Sequence, residues 1–220
     1  MEKLLKFAFK SLLRIKNYRT NIVESAEEEA TIISFSNEIL SSEGYPSDYL
    51  QILKRYYPNS VTFAVYHKEQ LIGSLRLLDP RGPCRILDFW NIDFPTNTSL
   101  SEFREMGALV VAPNYRGKSR LPITALLEIA YNYSKKNNIN YWFASSYQEK
   151  FEKFKLMNPS CQIMRISEPT PHQIAYRERY VEFFSSTQNA VLFFFDLNGA
   201  SYSHQFKRML NRKFKRSVKE

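Results

Sequence analysis

Arg116, Lys118 and Ser119 fall within four consecutive positions, Arg116-Gly117-Lys118-Ser119, between an apolar run and a run that favours helix. Two mobile cations and a hydroxyl at the start of a helix make a device for holding phosphate. The first backbone N–H groups of a helix have no partner within it, and the helix dipole favours negative charge there. Such a turn suits the pyrophosphate of coenzyme A, or the phosphopantetheine arm of a carrier protein. Upstream, Glu105 lies in a stretch, Phe103 to Ala112, whose other members are mostly apolar. A carboxylate there is costly unless it is paired or functional. Two readings stay open: a general base, direct or through water, with its pKa raised towards the working pH, or an ion pair with Arg104 or Arg76. Arg76, in the largely apolar run Leu71 to Leu78, has a similar choice. It could grip an acceptor carboxylate through a forked pair of hydrogen bonds, or pair Asp79 or Glu105 at a rim.

These groups need elements to place them. Met106 to Ala112 reads as a buried strand, Pro113 and residues 116–119 as a turn, about Leu121 to Lys136 as a helix, and Tyr141 to Ala144 as a second strand. Before them, Val61 to His67 and Leu71 to Leu78 read as strands joined by polar Lys68-Glu69. Arg85 to Trp90 is expected as a further strand and Asn91 to Ser101 as a polar loop long enough to cover a site. Glu24 to Leu40 reads as a helix whose acidic first turn complements the dipole. Gly44-Tyr45-Pro46 breaks it, and Pro46 to Tyr57 is a short helix. Downstream, Tyr147 to Met157 is expected as a helix and Cys161 to Ile166 as a strand. Glu168-Pro169-Thr170-Pro171 is expected as a rigid linker, Tyr176 to Phe184 as a helix, and Val191 to Leu197 as an apolar final strand.

The chain has 220 residues, room for one domain with a full core and terminal appendages. Its net charge of +9 is concentrated at the ends: residues 1–20 carry +5 and residues 203–220 carry +6, leaving a slightly acidic body. The expected organisation is a basic amphipathic segment over 1–20, a catalytic domain over 21–202 and a basic helix over 203–220. Helices of this kind suit an anionic membrane surface or an acidic protein better than they suit nucleic acid. They could equally pack an apolar stripe on the body. No apolar run is long enough to span a bilayer, and the first segment lacks a signal-peptide core. The expected location is cytoplasmic, peripheral to a membrane at most. Cys84 and Cys161 are far apart and are read as free thiols. His67, His172 and His204 have no metal-ligand spacing, so no metal site is expected.

The segment Phe103 to Ser146 resembles the acyl-CoA-binding core of the GNAT superfamily of acyltransferases. Glu105, Leu109-Val110-Val111, Pro113, Tyr115-Arg116-Gly117 and the helix bearing Leu126-Leu127 and Ala130 carry the likeness. Ser119 and Leu121 stand where the superfamily turn has small residues. The run Gln70 to Pro80, with Gly73 and Arg76-Leu77-Leu78, also resembles a segment of acyl-homoserine-lactone synthases and the related N-acyl amino acid synthases. Ala108 stands where the lactone synthases usually carry an arginine. The resemblance implies an α/β (α+β) fold of the GNAT type, with a mixed central sheet flanked by helices and basic amphipathic helices at both ends. It implies transfer of a fatty acyl group from acyl carrier protein or acyl-CoA to an amine, an amino acid among the candidates. The donor is a co-substrate, and no cofactor is permanently bound. An N-acetyltransferase of a small amine or protein, or a degenerate binding module, are the other readings. On the resemblance, Glu105 and Arg76 serve the chemistry. The main chain of Leu109, Val110 and Val111 accepts the pantetheine amides as an added strand would. Arg116, Gly117, Lys118 and Ser119 hold phosphate, and Ser145 borders the thioester slot. Many members carry a tyrosine in the following helix as general acid for the leaving thiol. Here Tyr147 opens that stretch, and Phe151 and Phe154 stand further on. Two readings stay open, Tyr147 as the acid or no such acid.

Overall fold

Strands covered on both faces read as nearly continuous apolar runs, and two such runs are neighbours inside the main sheet. They are Tyr141–Ser146 (β6) and Val191–Asp196 (β9). Alternate residues of each point to opposite sides: Trp142, Ala144, Phe193 and Phe195 enter one core, Phe143 and Leu192 the other. The computed structural model of the protein describes residues 2–95, 98–116, 121–157 and 161–198.

The remaining strands are Tyr18–Ile22 (β1), Ser60–His67 (β2), Gln70–Leu78 (β3), Asn91–Asp93 (β4), Phe103–Val111 (β5), Cys161–Ile163 (β7) and Arg165–Ser167 (β8). The helices are Glu2–Ile15 (α1), Ala26–Ser42 (α2), Ser47–Tyr56 (α3), Arg85–Phe89 (α4), Leu121–Lys136 (α5), Gln148–Met157 (α6), Pro171–Arg179 (α7) and Val181–Thr187 (α8). A 7-stranded sheet runs in the order β1-β2-β3-β5-β6-β9-β7, and β4 pairs with β8 in a small second sheet. Neighbours in the large sheet are antiparallel except β5 and β6, which are parallel. The expected mixed sheet flanked by helices is therefore present. α1, α5 and α6 contribute to one core through Phe9, Leu126 and Phe151. α2, α3, α4, α7 and α8 contribute to the other through Ile39, Ile52, Ile86, Tyr176 and Phe183.

Four expected elements differ. The expected loop Asn91 to Ser101 opens with a strand, Asn91–Asp93, paired with β8. Arg85 to Trp90 is not a strand: Arg85–Phe89 is one helical turn, with Ile86 and Phe89 both fully buried. Five residues are too few to display a period, and the helix is held by a contact made 20 positions away, described below. Cys161 to Ile166 is divided between two sheets, because Met164 turns into the second core while its N–H still bonds Leu192 O at 2.9 Å. The expected helix Tyr176 to Phe184 is two helices that break at Tyr180. The first of them begins inside the supposed linker, where Thr170 and Gln173 form a capping box around Pro171.

The first segment is helical and shares the body's core through Phe9 and Leu13, and Tyr18–Ile22 adds an edge strand. Residues 203–220 lie outside the described part. α5 is tied to β6 by the Trp142 indole N–H, which donates to Ser134 Oγ at 2.9 Å with both residues buried. Ser134→Ala should strand that N–H and cost about 1–3 kcal/mol. Urea unfolding should show a lower midpoint with an unchanged slope.

Candidate active site

β5 departs from a regular strand on both its edges, and these departures create the site. On the β6 side the parallel pairing covers only Phe103↔Tyr141, Arg104↔Trp142 and Glu105↔Phe143. Beyond Glu105 the two strands part. On the β3 side the register shifts, so that Ala108 and Leu109 together face the one residue between Ser74 and Arg76. That extra residue is a β-bulge, a device that bends a strand and re-aims it. Ala108 has φ 47°, a left-handed conformation that costs a residue with a Cβ roughly 1–2 kcal/mol.

The parted strands enclose a cavity of about 460 Å³, lined by Met106 to Val111 on one side and Ala144 to Ser146 on the other. Leu109, Val110, Val111 and Ser145 are thus brought together as the resemblance implied. Leu40, Tyr45, Phe183 and Phe193 supply apolar wall. Among the described lining residues, Glu43, Tyr45, Tyr147 and Lys150 carry groups able to exchange a proton. Tyr147 is half exposed, and the Lys150 ammonium lies 5.8 Å from its ring centre.

Arg116 also lines the cavity. Its Nε donates to Val111 O at 2.6 Å, and its Nη1 forms an ion pair with Glu43. The preceding turn, Pro113–Tyr115, is tied to β2 by a 3.0 Å hydrogen bond between Tyr115 Oη and His67 Nδ1. Gly117, Lys118 and Ser119, the other phosphate candidates, lie outside the described residues.

Glu105 has no solvent exposure and is not among the residues lining the large cavity. Its Oε1 accepts from Arg85 Nε and lies 2.8 Å from Arg85 Nη2. Its Oε2 accepts from Ile86 N–H and from the Cys84 thiol, each at 3.0 Å. The partner is therefore Arg85, not Arg104 or Arg76. Arg104 pairs with Asp79 at 3.1 Å. Burial and, after it, the Glu105 charge push the Cys84 thiol well above its ordinary pKa. Arg85 does line the large cavity. Sequence reasoning missed it, since an arginine at the head of a short apolar run carries no distinguishing signal.

Arg76 is buried and pairs with Glu29, not with Asp79 or Glu105. Its Nη1 donates to Thr62 Oγ1 at 2.8 Å and to Ser60 Oγ at 3.3 Å, and its Cζ sits 4.1 Å over the Tyr57 ring. Among the described residues its Nη2 has no hydrogen-bond partner. Arg76 faces a separate void of about 10 Å³, shared with Tyr56, Tyr57, Arg85, Glu105 and Ala108. Such a space suits one water. The two expected catalytic residues thus lie behind the bulge, while the expected donor-binding residues that are described lie in front of it.

No protein-family model and no curated protein sequence matches the chain. Solved structures do. FeeM, an N-acyl amino acid synthase from uncultured soil microbes, superposes with a TM-score of 0.54 at 11% identity, covering 86% of this chain and 94% of its own. The acyl-homoserine-lactone synthase LasI gives 0.54 at 11% identity, over 83% of this chain and 91% of its own. A putative N-acetyltransferase from Lactobacillus plantarum gives 0.53 at 11% identity, over 82% and 98%. Identities this low speak for the fold alone. The chain has the fold of the GNAT superfamily of acyltransferases.

Proposed function

We propose that the protein is an N-acyltransferase that moves a fatty acyl group from acyl carrier protein or acyl-CoA to an amine, with an amino acid as a candidate acceptor. The observation that carries this reading is the edge of β5 beyond Glu105, left unpaired by β6 and facing the 460 Å³ cavity. A pantetheine arm has amides at peptide-like spacing and can add to such an edge as a strand would. The thioester then lies between the parted strands, and the apolar wall of Phe154, Phe183 and Phe193 suits an acyl chain. The acceptor nitrogen attacks the thioester carbonyl, a C–N bond forms, and the C–S bond breaks. The nitrogen's proton leaves to water or to a cavity group, and in this scheme Tyr147, on the cavity wall, protonates the departing thiolate.

Glu105 fits a positioning role in this scheme. Both its oxygens are engaged, and it holds α4 so that Arg85 borders the cavity. Arg76 fits a supporting role from behind the bulge, through its pairing with Glu29. Recruitment falls to the basic ends. In α1, Phe7 and Ile15 are exposed at 69% and 74%, beside exposed Lys10, Arg14 and Lys16, while Phe9 and Leu13 anchor the helix to the body. An immobilised helix with aromatic and basic groups outward suits an anionic bilayer, with an acidic carrier protein as the competing partner. No described helix is long and apolar enough to cross a membrane.

Three outcomes are expected. Arg116→Glu combined with Lys118→Glu should weaken binding of acylated donors by about 2–3 kcal/mol in calorimetry, the loss expected for charge-assisted phosphate contacts. Unchanged affinity for acetyl-CoA, long-chain acyl-CoA and acylated carrier protein alike would remove the donor assignment. Glu105→Gln should lower unfolding stability by roughly 3–5 kcal/mol, because a neutral amide at the fully buried end of the pair no longer matches the Arg85 charge. The acidic limb of the pH–rate profile should survive in that variant. Its disappearance would restore Glu105 as the base. Lys10→Glu with Arg14→Glu should reduce sedimentation with phosphatidylglycerol vesicles at least tenfold, at about 1 kcal/mol per basic residue. Phe7→Ser with Ile15→Ser should reduce it further. Vesicle binding indifferent to both pairs would assign α1 to packing alone.

A further inference from the structure

Glu43 stands where its own helix disfavours it. It is the C-cap of α2, and α2 has no basic residue in its last turn. A carboxylate at that end meets the negative pole of the helix dipole. Its position is nevertheless fixed. Gly44 has φ 78°, its N–H bonds Ser41 O at 3.1 Å, and Tyr45 N–H bonds Leu40 O at 3.1 Å. These two bonds form the Schellman closure, in which the residues flanking the turn usually make an apolar contact. Leu40 and Tyr45 both belong to the second core and both line the large cavity, as Glu43 does. The carboxylate is therefore mounted on the cavity wall. Across from it, Arg116 is aimed by the bond from its Nε to Val111 O and pairs with Glu43 through Nη1.

The consequence is a charge balance at the phosphate end. The ionised side chains among the described lining residues are Glu43, Arg85, Arg116 and Lys150. Arg85 is matched by Glu105 and Arg116 by Glu43, which leaves Lys150. Whatever Lys118 and Arg120 add, Glu43 subtracts one charge and occupies part of the hydrogen-bonding capacity of Arg116. A carrier-bound phosphopantetheine brings a phosphodiester with a single charge. Coenzyme A brings a pyrophosphate and a ribose phosphate, roughly −3.5 to −4 in all. We propose that Glu43 is a specificity residue that sets how much negative charge a donor can bring to Arg116, favouring donors with one phosphate over those with several. The proposal rests on the acyltransfer reading and adds to it the residue that discriminates between its two donors.

The test is a charge series, wild type, Glu43→Gln and Glu43→Lys, assayed by calorimetry against two probes with the same acyl chain: acyl-CoA and the methyl phosphodiester of S-acyl phosphopantetheine, which carries the single charge of the carrier-bound group. Both substitutions are compatible with a helix end, and lysine is favoured there. Acyl-CoA affinity should rise in steps along the series, by about tenfold at the first step in low salt. The phosphopantetheine probe should change by less than about threefold, since a partly exposed pair exerts modest force on a single charge. Added salt should compress the difference, because exposed charges are screened beyond roughly 8–10 Å. Equal gains for both probes, no gain for either, or a loss for both would overturn the proposal while leaving the acyltransfer reading intact. If neither wild type nor variant binds either probe, the acyltransfer reading falls and the proposal falls with it.

Discussion

The structure depends on a carboxylate with no access to water. Glu105 sits at the last paired position of β5 and β6, opposite Phe143, where the two strands separate. An ionised carboxylate taken from water is tolerated only when its charge is matched and its lone pairs are occupied. Here an arginine matches the charge, and a backbone N–H and a thiol occupy the second oxygen. All three donors come from residues 84–86, at the start of α4. The requirement to satisfy one buried group thus fixes a helix of five residues that has too little length to be stable alone. It also sets Arg85 against the cavity.

α4 in turn anchors a second polar cluster on the far side. Asp88 accepts from Tyr56 Oη at 2.6 Å, and Tyr56 Oη meets Tyr176 Oη at 2.9 Å. Burial, with the Asp88 contact adding to it, drives the Tyr56 phenol far above its ordinary pKa, so it stays a donor. α3, α4 and α7 are joined through these three side chains, and their apolar surroundings strengthen each bond. Arg55 lies 5.1 Å over the Tyr176 ring at the edge of the cluster. The layer beneath the bulge is therefore bound together by buried polar groups as well as by packing.

Much of the frame was legible in the sequence because it rests on periods and local chemistry. The helix expected from Leu121 to Lys136 has those bounds, and the paired strands around Lys68-Glu69 end within a residue of expectation. The grouping of Leu109 to Val111 with Arg116 at one cavity was legible for the same reason, since a strand and a turn in succession bring them together. The partners of the buried charges were not. Glu105 had Arg104 and Arg76 as its candidate partners, and finding Arg85 depends on how the tertiary fold returns residues 84–86 to β5, which no local pattern encodes. Glu29 reads as a dipole-complementing residue in the first turn of α2, and it also neutralises Arg76 across the fold. The bulge left no trace either, because the left-handed position is held by Ala108 although a glycine is its neighbour. Such features arise from tertiary demand overriding local preference.

The short seam between β5 and β6 has a mechanical meaning. Two plates of sheet, one of β1, β2, β3 and β5 and the other of β6, β9 and β7, are hydrogen-bonded to each other through three residue pairs. Each plate is stiffened by its own antiparallel ladders, so bending concentrates at the seam. A chain laid into the open part would act as a spline, adding rungs where the plates diverge and spreading the load along the full length of β5. Substrate would then be a structural member for the duration of its stay, and its departure would return the sheet to a hinge.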